Sequence, residues 1–247
     1  MTRWAVLADV HGNQPALEAV LADLRMHPID LVLNLGDLAS GPLWPAETLE
    51  ILMNQAWLQI SGNHDRQLTT TDPVGHGASD RYAFERLTPR HLAWLRALPA
   101  VVRPRPDVLA CHGTPTSDHV YLLETVAHGR THLAGENDIR SRLAGETAPL
   151  LLCAHTHVPR VVTLGDGGLV VNPGSVGLPA YSDDSPEPHV VETGSPHARY
   201  ALLDNQDGAW RVTLRCLPYD HIAAARQAAR QGRADWESAL RTGRLTL

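Results

Sequence analysis

The sequence predicts an α/β protein built around a buried and largely parallel sheet. Three short apolar runs, at 4–9, 31–37 and 57–63, have the length and the abrupt polar ending of strands. Two segments with apolar residues at helical spacing, 15–27 and 45–56, lie between them. Strand, helix, strand, helix, strand is a βαβαβ unit, whose helical crossovers place the strands in parallel and cover the sheet.

The predicted helices have recognisable beginnings. Pro15 and Pro45 suit the first helical turn, where the N–H that proline lacks has no partner within the helix. Residues 79–98 predict a helical segment interrupted by a proline, and residues 137–145 predict a short helix. The Ala- and Arg-rich segment 221–232 predicts a helix that ends at Gly232.

Further strands are predicted in the second half of the chain. The runs 108–113 and 150–155 repeat the form of the first three strands. Residues 158–175 predict a hairpin around an Asp-Gly-Gly turn, and residues 198–220 predict another. Residues 178–197 contain four prolines and many acidic or small residues, so we expect a surface loop there.

Length and composition limit the class of protein. The 247 residues fit one domain, 1–247, with a small helical or loop insertion left open at 66–105. The formal net charge of −6 gives no basic footprint, which makes long nucleic acid an unexpected partner. No apolar stretch is long enough to span a membrane, and Asp9 comes too early for a secretory signal, so we expect a cytoplasmic protein. The sequence does not indicate an oligomeric state.

Metal-binding and hydrogen-bonding side chains follow five of the predicted strands where each strand ends: Asp9, His11, Asp37, Asn63, His64, His112, His155 and His157. Because sites in open α/β sheets form at the carboxyl ends of strands, these side chains should meet in one crevice. Carboxylate oxygen and neutral imidazole suit Mn, Fe, Ni, Co or Zn. Seven such ligands exceed the three of a single catalytic zinc. We therefore predict two divalent transition-metal ions, with Mn²⁺ foremost.

These motifs together resemble a known family. DVH at 9–11, GD at 36–37, GNHD at 62–65, HG at 112–113 and HTH at 155–157 resemble, in order and spacing, the calcineurin-like metallophosphoesterase superfamily. NPGSVG, which follows HTH, resembles an element of its compact bacterial, phosphodiesterase-like members. The resemblance implies a four-layer αββα sandwich with mixed sheets flanked by helices.

The resemblance also implies a role for each matching residue. Metal ligands would divide into a first set of Asp9, His11 and His157 and a second set of Asn63, His112 and His155, with Asp37 bridging both metals. His64 would protonate the leaving-group oxygen, and Asp65 would orient the His64 ring by accepting its other proton. A hydroxide that bridges the two metals would attack phosphorus.

Two departures from the family pattern bear on the substrate. Ala154 stands where the family usually has a glycine before HTH, which limits backbone freedom there. The segment after GD reads LASGPLWP and lacks the arginine of the protein phosphatase branch, which disfavours a phosphoprotein substrate. For Arg66, a bidentate contact with substrate phosphate and a surface salt bridge both stay open.

The leading hypothesis is a phosphoesterase acting on a small soluble phosphodiester or phosphomonoester, such as a nucleotide. A nuclease acting on DNA or RNA ends is the first alternative, and it would need a positive groove. The arginines that could line such a groove are Arg81, Arg86, Arg90, Arg103 and Arg105. A non-catalytic, metal-stabilised scaffold is the second alternative, although such a scaffold would not need His64.

Overall fold

The computed structural model describes residues 2–70 and 76–246; residues 71–75 of the expected insertion lie outside this part. The strands are β1 (Thr2–Leu7), β2 (Leu31–Asn34), β3 (Leu58–Gln59), β4 (Val101–Arg105), β5 (Val108–Cys111), β6 (Glu124–Ala127), β7 (Arg130–Leu133), β8 (Leu150–Leu152), β9 (Arg160–Thr163), β10 (Leu169–Asn172), β11 (Ala180–Asp183), β12 (His189–Glu192), β13 (Ala198–Gln206) and β14 (Ala209–Leu217). The helices are α1 (Gln14–Leu24), α2 (Pro45–Met53), α3 (Asn63–Leu68), α4 (Ala78–Phe84), α5 (Pro89–Arg96), α6 (Glu136–Arg142), α7 (His221–Arg230) and α8 (Ala234–Thr242).

Two five-stranded mixed sheets form the centre of the molecule. The first has the order β14-β13-β1-β2-β3, and β1, β2 and β3 are parallel as the βαβαβ pattern predicts. The second has the order β4-β5-β8-β10-β9, with β5, β8 and β10 parallel and antiparallel strands at both edges. Both predicted hairpins are present, as the antiparallel pairs β9–β10 and β13–β14.

Apolar side chains fill three spaces between the layers. Val6 from the first sheet and Leu152 from the second meet in a core between the two sheets. Because side chains alternate along a strand, Leu7 points the other way and packs with α1 and α2. On the outer face of the second sheet, Leu151 packs with Ile139 of α6. Helix, sheet, sheet and helix therefore form the expected αββα layers, and the predicted fold class is confirmed.

A third sheet, with the order β11-β12-β7-β6, was not expected from the sequence. The surface loop predicted at 178–197 contains β11 and β12, which pair antiparallel, so that prediction was wrong for both strands. Ala180 and Val191 are fully buried, and Leu178 and Ala180 pack with Trp236 of α8. Burial against the C-terminal helices outweighs the turn-rich composition, because these few apolar residues are the ones that face the protein.

The described residues of 66–105 contribute to the main core. Leu68, Ala83 and Leu95 belong to the same apolar cluster as Leu7 of β1, and β4 forms the edge of the second sheet. The predicted helical stretch 79–98 is present as α4 and α5, with the break before Pro89. Among the described residues, no helix combines the length and the apolar character needed to cross a membrane.

Backbone hydrogen bonds hold the loops after the strands against one another. The loop after β1 is tied to the loop after β2 by Asp9 N–Gly36 O at 2.9 Å and His11 N–Asp37 O at 3.0 Å. Gly177 lies against the β1 loop, where its N–H donates to the Asp9 carbonyl at 2.9 Å. A Cβ atom at Gly177 would overlap the carbonyl oxygen of Val10. This close approach of two backbones requires glycine.

We therefore expect Gly177→Ala to lower the free energy of unfolding by about 1–3 kcal/mol, because the added methyl forces the two loops apart. Urea unfolding followed by circular dichroism measures the change. Gly135→Ala is the matched control: Gly135 has φ −64°, and an added Cβ would meet only Asp138 Oδ2, at 3.7 Å. The control should stay within about 1 kcal/mol of the parent. Equal stability of the two variants would contradict the close approach.

Candidate metal centre

The seven expected metal ligands lie together at the ends of β1, β2, β5 and β8 and at the start of α3. Five of them have a left-handed backbone, with φ between 51° and 69°: Asp9, His11, Asp37, His155 and His157. Residues other than glycine rarely adopt this conformation, and each instance costs on the order of 1–3 kcal/mol. Such strain persists only where the surrounding structure enforces it, which marks this edge of the sheets as a functional site.

The first candidate cluster consists of Asp9, His11 and His157, whose ligand atoms all lie within 4.8 Å of one another. The Nε2 atoms of His11 and His157 are 3.1 Å apart, and His157 Nε2 is 3.6 Å from Asp9 Oδ1. All three side chains are buried.

The second candidate cluster consists of Asp37, His112 and His155, also within 4.8 Å. His112 Nε2 lies 3.2 Å from Asp37 Oδ2 and 3.1 Å from the side-chain oxygen of Asn63. The same Asp37 oxygen is 3.9 Å from His11 Nε2 in the first cluster. Asp37 therefore lies between the two clusters, where a shared ligand would have to be.

The imidazole rings are oriented by backbone carbonyl groups. In three cases Nδ1 lies 2.7–2.8 Å from a carbonyl oxygen: His11 with Ser40, His157 with Leu178, and His112 with Leu35. A ring that donates its Nδ1 proton to a carbonyl turns the lone pair of Nε2 into the site. His155 has the opposite arrangement, because its Nε2 lies 3.2 Å from the His119 carbonyl, which leaves Nδ1 for the site.

Several acceptor atoms in this site have no donor to face. Both carboxylate oxygens of Asp9 are buried without a hydrogen-bond partner among the described residues. One end of the Asn63 side-chain amide lies 3.1 Å from His112 Nε2, 3.1 Å from His155 Nδ1 and 3.3 Å from Asp37 Oδ2, where the amide nitrogen can donate without a metal and the amide oxygen could bind one. Buried acceptors that converge without donors are costly unless a cation lies between them. The residues therefore fit two bound metal ions.

Burial favours the neutral form of three candidate imidazole ligands, His11, His155 and His157. It lowers the pKa of His11 to about 4 and that of His155 to about 3. Burial also acts on His112, but the charges of Asp37 and Asp9 outweigh it and raise the pKa of His112 to about 10, so metal binding there would have to displace a proton. Burial would also raise the pKa of Asp37, but the neighbouring imidazoles, His112 first, hold that pKa well below its ordinary value. For Asp9, burial dominates and raises the pKa. Neutral imidazole and carboxylate are the forms that bind divalent transition metals, and a bound cation would favour the charged form of Asp9.

The His64 ring is held by Asp80, a residue that was not predicted from the sequence. His64 Nδ1 lies 2.8 Å from Asp80 Oδ1, and the Ser40 hydroxyl donates to the same oxygen at 2.6 Å. Asp80 is buried at the start of α4, whereas about a third of the His64 side chain is exposed. Burial lowers the pKa of His64, but the charges of Asp37 and Asp80 outweigh this effect and raise it to about 9.

Asp65 does not have the contact that the sequence analysis expected. Its carboxylate accepts backbone N–H groups from Asp37 at 2.7 Å, Leu38 at 3.0 Å and Gly62 at 2.9 Å. The expectation that Asp65 orients the His64 ring is corrected, because adjacent residues on a helix point in different directions. Asp65 instead joins the loops after β2 and β3.

Arg66 forms a bidentate salt bridge with Asp118, with Nε–Oδ2 at 2.6 Å and Nη2–Oδ1 at 2.9 Å. About half of the Arg66 side chain is exposed, and it is not among the described residues that line the cavity over the metal centre. Of the two alternatives for Arg66, the geometry agrees with the salt bridge.

A cavity of about 700 Å³ lies over both clusters. His11, Asp37, Asn63, His64 and His155 form part of its floor. Its outer wall comes mainly from the end of α3, the region around α4, strand β11 and the start of α8, and His119 and Leu245 also line it. This volume is in the range of sites that bind small organic ligands.

The NPGSVG segment braces the loops that carry the candidate ligands. Asn172 donates from Nδ2 to the Ala154 carbonyl at 2.9 Å and to Thr156 Oγ1 at 3.0 Å, on either side of His155. The Ser175 hydroxyl donates to the Asp9 carbonyl at 2.8 Å. One segment thus holds the HTH loop and the DVH loop in a fixed relation.

We expect Asn172→Ala to weaken Mn²⁺ binding by about 10–100-fold, because the HTH loop loses its support while every candidate ligand stays in place. Isothermal titration calorimetry on the metal-free protein measures the affinity. Asn137→Ala, an exposed substitution in α6, is the control and should bind Mn²⁺ as the parent does. An unchanged affinity for Mn²⁺ in Asn172→Ala would show that the Asn172 side chain is not needed to support the HTH loop.

Comparison with known proteins gives a consistent result. A sequence profile described as calcineurin-like phosphoesterase matches residues 2–159, more than half of the chain. An uncharacterized protein of Methanocaldococcus jannaschii, MJ0912, is 24% identical over 94% of both chains.

Two solved structures share the fold. A metallophosphoesterase from Sphaerobacter thermophilus has a TM-score of 0.75 at 24% identity, covering 98% of this chain and all of the other. The hypothetical protein PH1004 from Pyrococcus horikoshii has a TM-score of 0.77 at 20% identity, covering all of both chains. With the αββα layers and the two candidate clusters, the profile match shows that this chain belongs to the calcineurin-like phosphoesterase family and is a phosphoester hydrolase.

Proposed function

We propose that the protein hydrolyses a small soluble phosphomonoester or phosphodiester with the help of two divalent transition-metal ions, Mn²⁺ foremost. The observation that carries the proposal is the convergence of the seven candidate ligands at one cavity, which five of them line together with His64. Asp9, His11 and His157 would hold one ion, and Asn63, His112 and His155 the other, with Asp37 shared. Bound there, the ions would make a water molecule nucleophilic at neutral pH and neutralise charge on the phosphoryl oxygens.

His64 is the group best placed to handle the leaving-group proton. Its side chain lines the cavity with its ring centroid 5.5 Å from that of His11, and its Nδ1 is engaged with Asp80. Nε2 is therefore the nitrogen that can deliver a proton to the departing oxygen. Asp80 keeps the ring in this orientation and favours its protonated form, so we assign Asp80 as the positioning residue for His64.

The arginine contacts favour a small substrate over a nucleic acid. Each arginine that could line a positive groove already has a partner in the described structure: Arg81 with the His76 carbonyl, Arg86 with the ring of Tyr82, Arg90 with Glu50, Arg103 with Glu146, and Arg105 with Asp107. A guanidinium group that already contacts another partner contributes less to the binding of phosphates. Digestion of single-stranded and duplex DNA or RNA would overturn this preference.

The first test is metal-dependent hydrolysis of bis-p-nitrophenyl phosphate and p-nitrophenyl phosphate. We expect chelation to abolish activity and Mn²⁺ to restore it, and we expect Asp9→Asn to lose more than about 100-fold, because it removes a ligand charge. Asp207→Asn, in the exposed turn between β13 and β14, is the control and should keep the parent rate. Inactivity with Mn²⁺, Fe²⁺, Co²⁺, Ni²⁺ and Zn²⁺ on both substrates would contradict the proposed function.

The second test separates proton donation from metal binding. An alkyl phosphate needs a proton on its leaving oxygen, whereas p-nitrophenolate departs without one. His64→Ala should therefore lower kcat for alkyl esters by about 10²–10⁴-fold and for p-nitrophenyl esters far less. Asp80→Asn should show the same selectivity with a smaller loss and little change in KM. Equal losses on both substrate types would argue against the acid role, and unchanged residual activity in His64→Ala would favour the scaffold alternative.

A further inference from the structure

The cavity over the metal centre has an outer wall that is polar and not basic. Its described residues include hydroxyl and amide side chains: Gln67, Thr70, Ser79 and Ser185. Leu178, Ala180 and Trp236 add apolar surface. A wall of this kind can hydrogen-bond and pack against an uncharged alcohol such as a sugar or a nucleoside.

The one guanidinium group among the described lining residues is already neutralised. Arg233 donates from Nε to Asp235 Oδ1 at 3.0 Å and from Nη2 to Asp235 Oδ2 at 2.7 Å. Its Nη1 donates to the Ser79 hydroxyl at 2.9 Å. This bidentate pair occupies the Nε and Nη2 N–H groups, which could otherwise bind a phosphate. In the part of the chain that the structure describes, the outer wall therefore has no arginine free to bind a phosphate; the imidazoles of His76 and His119 also belong to this wall.

Asp183 supplies a negative charge that no described cation balances. Its Oδ1 accepts the N–H of Ser185 at 2.9 Å, and within residues 2–70 and 76–246 it takes part in no salt bridge. Asp183 and Tyr181 are two residues apart on β11, so both side chains lie on the same face, and both line the cavity. The Tyr181 ring is 4.7 Å from the ring of His157, which brings this face of β11 next to the metal centre.

The charges of the site match one phosphoryl group. Two divalent ions carry four positive charges, and the carboxylates of Asp9 and Asp37 together with the attacking hydroxide would cancel three of them. The remaining charge of about +1 balances one phosphodiester and is less than the charge of about −1.5 to −2 on a phosphate monoester at neutral pH. A second phosphate on the substrate would have no such partner and would face the carboxylate of Asp183.

We propose that the substrate contains a single phosphoryl group esterified to an uncharged, hydroxyl-bearing alcohol, and that Asp183 rejects alcohols that carry a further phosphate. This inference rests on the proposed phosphoesterase function. It assigns Asp183 a role in specificity, distinct from metal binding and from proton transfer.

The test uses two substrates with the same leaving group and different charge. Thymidine 5′-(p-nitrophenyl phosphate) carries an uncharged nucleoside, and its 3′-phosphorylated form adds one phosphate. We expect the parent enzyme to favour the first substrate in kcat/KM by at least about tenfold, from repulsion between like charges near the protein surface. Asp183→Asn should reduce this ratio severalfold by accelerating the 3′-phosphorylated substrate. The control Asp184→Asn, an exposed neighbour that does not line the cavity, should leave the ratio unchanged.

A binding measurement gives a readout that does not depend on turnover. Calorimetry on the Mn²⁺-loaded enzyme should give thymidine 5′-monophosphate a lower Kd than thymidine 3′,5′-bisphosphate, and Asp183→Asn should narrow the difference. Equal kcat/KM on both substrates, or an unchanged ratio in Asp183→Asn, would overturn the inference and leave the phosphoesterase function standing. Failure to hydrolyse any phosphoester with any metal would overturn both.

Discussion

Buried acceptor atoms converge in the candidate metal centre, and the described residues supply few hydrogen-bond donors to them. Among the described residues, Asp9 has two buried oxygens without a hydrogen-bond partner, and the Asn63 side-chain amide lies against two imidazole nitrogens and a carboxylate. Such an arrangement is unfavourable in a protein without cations, because each unpaired buried acceptor loses its hydration. Metal binding would remove this penalty, so the stability of this edge of the sheets and the chemistry of the site depend on the same ions.

Much of the surrounding structure holds that arrangement in place. Backbone carbonyls fix the imidazole rings, and the Asp65 carboxylate ties the loops after β2 and β3 through three backbone N–H groups. The Asn172 and Ser175 side chains tie the HTH loop to the DVH loop across the two sheets. These contacts stabilise the left-handed backbone of five candidate ligands, which would otherwise relax to ordinary conformations. The αββα layers provide the rigid frame on which such local strain can persist.

Outside the ligand clusters, the site is divided between elements that come from distant parts of the chain. Asp80 on α4 reaches His64 from one side, and Asp183 on β11 faces the cavity from the other. The first carboxylate is paired and buried, so it acts on the orientation and charge of an imidazole. The second has no salt-bridge partner among the described residues, so in our proposal it acts on what can enter the cavity. Two residues of the same type thus have different effects because their surroundings differ.

The sequence by itself predicted a buried, largely parallel sheet and the candidate ligands at its edge, and the resemblance of its motifs to a known family implied the four αββα layers. The first two follow from local rules: apolar runs and helical spacing predict a parallel sheet, and the polar residues after such strands meet at one edge. The tertiary structure alone decided that Asp80 and not Asp65 contacts His64, and that part of 178–197 pairs as strands. These contacts join residues whose separation in sequence carries no periodic signal, and they depend on how helices and hairpins pack around the sheets. The charge of the cavity wall also depends on the tertiary structure, because the partners of Arg233 and Asp183 determine which charge each residue presents to a substrate.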